Sequence, residues 1–137
     1  MGLFHRSGGY TIFIPEIDAE HRTMFRLVDE LATALDSGTP RARNEALQSI
    51  VSQMQLHFAH EERLMRESRY DAFAWHKGQH DGARRQAKRF IKRIEDGDRK
   101  AGAEMLQYLA GWLQNHIPVT DRMMAAYLRN FERRRAA

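Results

Sequence analysis

Apolar residues recur along most of this chain at intervals of three or four, the period of an amphipathic helix. Few segments alternate with the period of two that a half-buried strand requires. A first stripe holds Ile17, His21, Met24, Val28, Leu31 and Leu35, and Gly38 stands where that helix can end. A second follows Thr39-Pro40, with Thr39 as N-cap and Pro40 as the first helical residue. It runs Leu47, Ile50 or Val51, Met54, His57, Glu61 and Leu64. The third starts near Asp71, a natural N-cap, and carries Phe73, His76, His80, Ala83, Ala87, Phe90 or Ile91 and Ile94 before Gly97 stops it. The fourth carries Leu106, Leu109, Leu113 and His116, then resumes as Asp121, Met124, Leu128 and Phe131 with a slip of one residue. Val119 and Met123 are also apolar and leave that slip ambiguous.

Four such helices joined by short turns predict an all-α, up-down-up-down antiparallel four-helix bundle over residues 16–134, within one domain spanning 1–137. Residues 1–15 read as a non-helical N-terminal arm packed along the outside. The awkward place is the step from His116 to Asp121. Five residues carry a regular helix ~140° past the starting face. Pro118, between the two, has no N–H for the carbonyl of Gln114 and its ring crowds that oxygen. The sequence therefore predicts a kink or widening over 116–121 that re-aims Asp121.

His21, His57, Glu61, His76, His80 and His116 all occupy positions of the apolar stripes, where an unpaired polar group is costly. A lone core histidine is ordinarily just hydrogen-bonded. Five histidines and a carboxylate spread over four helices are hard to satisfy that way. His57 with Glu61, and His76 with His80, are i,i+4 pairs whose side chains meet on one helix face, as two ligands of one metal would. Imidazole and carboxylate without thiolate suit iron, manganese, zinc or copper. The chain has no cysteine, which excludes disulfides, thiolate metal sites and cysteine nucleophiles. His60-Glu61-Glu62-Arg63-Leu64 lacks the second histidine of a zinc-protease helix. The paired Glu-x-x-His motif of ferritin-like oxidases is also missing. His60 lies off the stripe as a rim residue that could orient a ligand, and His5 is expected to be exposed in the arm. Gly78, inside the third helix, would be explained by close approach of a neighbouring helix.

The set His21, His57-x-x-x-Glu61, His76-x-x-x-His80, His116-x-x-x-x-Asp121 resembles the bacterial single-domain hemerythrins. So do the stretches IDAEH (17–21), HFAHEERLM (57–65), WHKGQH (75–80) and WLQNHIPVTD (112–121). The resemblance spans roughly residues 13–131 and fills all seven ligand positions of that family. It implies two iron ions (Fe2+/Fe3+) with an oxo or hydroxo bridge. One iron would take His76, His80 and His116, the other His21 and His57, and Glu61 and Asp121 would bridge them. The second iron would keep an open position for dioxygen, which makes the implied function reversible oxygen binding by a carrier, store or delivery protein rather than an enzyme. Met24, Trp112, Leu113 and Ile117 are expected by spacing to line the oxygen pocket beside that iron. The chain departs from the family at Phe13, where glycine is common, at Glu20 for a frequent glutamine, at Asp71 for a common proline, and in an arm without tryptophan. These changes bear on arm packing and turn shape.

Charge and length add boundaries. One domain of 137 residues can hold a real core. No apolar run reaches the roughly 20 residues of a membrane span. The opening MGLFHRSGGYTIFIP has no continuous apolar segment followed by small residues, and Arg6 breaks the myristoylation pattern, so a cytoplasmic location is expected. Much of the net charge of +4 gathers in 84–93 and 132–135, at helical spacing and without a recognisable nucleic-acid-binding motif. It is expected to form a solvated face rather than a nucleic-acid site. The residues leave open an oxygen, redox or nitric oxide sensor acting through a signalling partner, delivery to an oxygen-using protein, and iron handling alone.

Overall fold

The computed structural model describes residues 10–136. Helix α1 spans Pro15–Ser37, α2 Pro40–Glu67 and α3 Phe73–Glu95. Helix α4, Ala101–His116, continues through a π-helical segment, Ile117–Asp121, into α5, Arg122–Ala136. The last three form one interrupted rod. The chain is thus an all-α, up-down-up-down antiparallel four-helix bundle, with no strand among the described residues. Helix α1 packs on α2 and α4, α3 on α4 and α2, and α5 on α2.

The helix ends follow local chemistry. Thr39 caps α2 by accepting from the Ala42 N–H at 3.1 Å, with Pro40 in the first turn. Gly38 ends α1 in an extended conformation, where a Cβ would lie 2.5 Å from the Ala34 carbonyl oxygen. Asp71 is not the cap of α3, which begins at Phe73 after Ala72 without a side-chain cap. The reason is the length of the turn before it. The Arg69 N–H bonds Arg66 O at 3.2 Å and the Tyr70 N–H reaches Met65 O at 2.9 Å, a Schellman closure with Arg69 at φ +57°. Phe73 N–H then bonds Tyr70 O at 3.1 Å, so Asp71 is spent inside a turn. Gly97, at φ +89°, closes α3 with the same pair of bonds, to Ile94 O and from Asp98 to Arg93 O.

The core is built from the four stripes. Ile17, Met24, Val28, Leu31, Ile50, Leu109, Leu113, Ile117 and Met124 are buried, each burial contributing about 1.5–3 kcal/mol. Met105, not Leu106, takes the inward position at the start of α4, and Phe58 and Met65 extend the inward face of α2. Val119 and Met123 are exposed while Thr120, Asp121, Met124 and Leu128 are buried, so the one-residue slip is real. A Cβ at Gly78 would meet nothing within 4 Å, so no neighbouring helix requires that glycine.

The described part of the arm does more than lie on the outside. Ile12 is buried in the core. Its N–H donates to Asp18 Oδ1 at 2.8 Å, and Arg129 donates to its carbonyl. Phe13 has φ +64°, which accounts for glycine being common there; its exposed ring lies under the Arg129 guanidinium at 5.8 Å. His5 lies outside the described residues.

Candidate metal centre

Each of two buried carboxylates divides its oxygens between two groups of histidines. Glu61 Oε1 lies 3.2 Å from His76 Nε2 and 3.1 Å from His80 Nε2, while Oε2 lies 2.9 Å from His57 Nε2 and 3.7 Å from His21 Nε2. Asp121 repeats the division: Oδ1 is 2.8 Å from His116 Nε2 and 3.1 Å from His76 Nε2, and Oδ2 is 3.1 Å from His21 Nε2. The donors form two clusters: His76, His80, His116, Glu61 and Asp121 in one, His21, His57, Glu61 and Asp121 in the other. All seven side chains are buried.

The donor set fits a pair of cations. Two ligands about 2.1 Å from one ion and at right angles lie about 3.0 Å apart, close to most of these separations. His21 Nε2, His80 Nε2, His116 Nε2, Glu61 Oε2 and both Asp121 oxygens lack a hydrogen-bond partner. Buried lone pairs that converge without a hydrogen between them are what a bound cation satisfies.

The helices set these positions. His57 and Glu61 share one face of α2, and His76 and His80 one face of α3. His116 closes α4, and the π turn brings Asp121 back to it: the Arg122 N–H bonds Ile117 O, five residues earlier. The widening anticipated at Pro118 is therefore a π turn.

Three histidines are held from behind. His57 Nδ1 donates to Glu20 Oε1 at 2.7 Å, His80 Nδ1 to Glu62 Oε2 at 2.7 Å, and His116 Nδ1 to Gln79 Oε1 at 2.8 Å. A proton fixed on Nδ1 leaves the Nε2 lone pair facing the centre. Gln79 also accepts from Thr120 at 2.9 Å, tying the π turn to His116. Glu62 accepts from Arg84 at 2.8 Å, and the Arg84 guanidinium lies over the Phe58 ring, which stacks on His80 at 4.1 Å.

Electrostatics supply the rest. Burial opposes a charge on Glu61, but His57, His21 and His76 outweigh it and hold its pKa well below the carboxylate range. Burial and the neighbouring Glu61 oppose the charge of Asp121, and His116 and His21 overcome them and lower its pKa. Burial alone would keep the histidines neutral, yet the carboxylates lift His57 to about 10 and His76 to about 9. His116 goes the other way, lowered by burial. Without a metal, protons on imidazoles balance the two carboxylates; cations would take over that role.

The remaining expectations divide. Met24, Leu113 and Ile117 are fully buried in the core. Trp112 stacks on His116 at 4.1 Å and also meets His80 and Phe58, so its ring contacts are with the three-histidine cluster rather than with His21 or His57. Glu20, Glu62, Gln79, Phe58 and Arg84 carry no spacing signal, because each acts across helices. In the basic run, Arg84, Lys92 and Arg93 are engaged by acidic neighbours. No described helix is long and apolar enough to cross a membrane.

Known proteins resemble this chain in sequence and fold. The hemerythrin HHE cation-binding domain matches residues 13–128. A bacteriohemerythrin of Stenotrophomonas maltophilia is 32% identical over 137 residues, covering 97% of this chain and 89% of the relative. One of Methylococcus capsulatus is 27% identical over 106 residues, 77% of this chain and 81% of the relative. The crystal structure of a wild-type hemerythrin superposes with a TM-score of 0.85 at 24% identity, over 92% of this chain and 98% of the other. With a family match over most of its length and the bundle that family builds, the chain belongs to the hemerythrin HHE cation-binding family.

Proposed function

We propose that the chain holds two iron ions and binds dioxygen reversibly, as a carrier, store or delivery protein and not as an enzyme. The observation that carries this reading is the division of Glu61 and Asp121 between unequal clusters, five donors on one side and four on the other. In this reading His76, His80 and His116 hold one iron, His21 and His57 the other, and the poorer side keeps a position for an external ligand. A di-iron pair, when bound, would supply the two electrons that dioxygen takes up and returns.

The side chains supply the conditions for return. Burial excludes water from the carboxylates and imidazoles and favours a centre whose net charge does not change. Met24, Leu113 and Ile117, the residues this reading assigns to the pocket walls, are buried and have no proton to give. A groove of about 1170 Å³ runs along α1 from Tyr10 to Ala42, and His21 is the ligand candidate in its lining. In this reading a small neutral molecule approaches the four-donor side from that groove. These features favour dioxygen itself over an oxygen-using or signalling protein as the partner of the centre.

The test is iron content with an optical spectrum under air, then under argon after reduction. Two irons per chain and a charge-transfer band that appears with air and bleaches reversibly are expected. An iron-free protein, or a spectrum indifferent to dioxygen, would overturn the proposal.

A further inference from the structure

Glu20 has a second partner that the ligand pattern does not use. Its Oε1 receives the Nδ1 proton of His57 at 2.7 Å, and its Oε2 meets His60 Nδ1 at 2.6 Å. The carboxylate is thus pinned at both oxygens, between α1 and two successive turns of α2. His57 is buried, while Glu20 at 26% and His60 at 20% side-chain exposure are both partly buried, so the pair lies together at the rim behind His57. The three-histidine side is held differently. There Glu62 grips His80 and is itself gripped by Arg84, with Gln79 on His116. On the two-histidine side, Glu20 is the hydrogen-bond partner of a ligand Nδ1, since His21 Nδ1 has none.

We infer that Glu20, braced by His60, is the positioning residue of the two-histidine metal position. This rests on the di-metal reading of the centre. Glu20 keeps the His57 proton on Nδ1 and its ring turned so that Nε2 faces Glu61 Oε2. His60 prevents the Glu20 carboxylate from rotating away. Loss of such an outer partner typically weakens metal binding about 10- to 100-fold. Because Glu20 touches one cluster only, the loss should fall on one of two binding steps.

The probe is Co(II), titrated into the metal-stripped full chain, with circular dichroism to confirm that each variant keeps its helices. The wild-type chain should bind two Co(II) in resolved steps. Glu20→Ala should weaken one step about 10- to 100-fold and leave the other within about threefold. Glu20→Gln, which still offers an amide oxygen to His57, should recover most of that loss. His60→Ala should weaken the same step by a smaller factor. If the wild type binds fewer than two ions, the di-metal reading fails. If it binds two but Glu20→Ala shifts both steps together or neither, or Glu20→Gln is no better than Glu20→Ala, the positioning role is overturned.

Discussion

Asp121 Oδ1 lies 2.8 Å from His116 Nε2 although the two are five positions apart, because the segment between is π-helical rather than α-helical. The buried residues on either side show why. Leu113 and His116 face inward before the turn, and Asp121, Met124 and Leu128 after it; one extra residue must be absorbed between them. Pro118 accommodates that turn, since it asks for no α-helical donor bond, but the demand comes from the core. Pro118→Ala should therefore fold, keep the π turn and retain its metal content, with stability changed by less than about 1 kcal/mol. Iron analysis and denaturant unfolding check this; loss of metal in a folded variant would make the proline itself the determinant.

His80 stands between the centre and its support, with Glu61 at Nε2, Glu62 at Nδ1 and Phe58 on its face. His80→Ala removes one of five donors from the richer cluster and opens space beside Phe58. Iron should fall from about two per chain to one or fewer while helicity stays largely intact. The vacated space should cost about 2 kcal/mol or more in the metal-free chain. Two irons retained per chain would show that the ligand assignment is wrong.

The bundle and six inward ligand candidates, His21, His57, Glu61, His76, His80 and His116, were legible because helical period and polarity conflict at those positions, whereas Asp121 entered through the family resemblance and the one-residue slip. His57 and Glu61 announce themselves by spacing within one helix. Glu20, Glu62 and Gln79 do not, because each meets its histidine across a helix–helix interface and looks locally like an ordinary surface residue. Glu20 and His60 were visible in the sequence, one as a departure from the family and one as an off-stripe histidine. Their contact depends on how α1 and α2 are rotated, which periodicity does not fix to a single residue. Trp112 shows the same limit: its spacing marks it as near the centre without saying which cluster it touches.

Proton and metal should compete at His57 and His76, whose pKa values near 10 and 9 leave both protonated at pH 7 in the metal-free chain. A metal needs the neutral imidazole, so binding at pH 7 should release protons from His57 and His76, and from His21, whose pKa is also raised, against its burial, by Asp121 and Glu61, and should tighten as pH rises toward 9–10. Stability of the metal-free chain should run the other way. A histidine whose folded pKa is raised contributes fully below its unfolded value near 6.5, and that contribution fades as pH rises through the folded value. Calorimetric titration with Zn(II) in buffers of different ionisation enthalpy measures the protons, and urea unfolding of metal-free chain from pH 6 to 10 measures the stability. Affinity and metal-free stability moving in the same direction would contradict the assignment.

Arg69 and Gly78 hold conformations suited to each other's residue type. Arg69 occupies the left-handed position that closes α2, at φ +57°, where Gly97 serves in the matching closure of α3. Its carbonyl accepts from the Tyr127 hydroxyl at 3.2 Å, a bond that does not need the arginine side chain. Gly78 sits within α3 with open space where a Cβ would be. Arg69→Gly removes the steric cost of a left-handed side chain, and Gly78→Ala reduces the backbone entropy lost on folding a helix. Each should stabilise the chain by about 1 kcal/mol, read as a rise in the urea midpoint at unchanged slope. Neither residue is among the metal ligand candidates, so iron content should stay at the wild-type level in both. A lower midpoint for Arg69→Gly would mean that the arginine side chain contributes more than its backbone position costs.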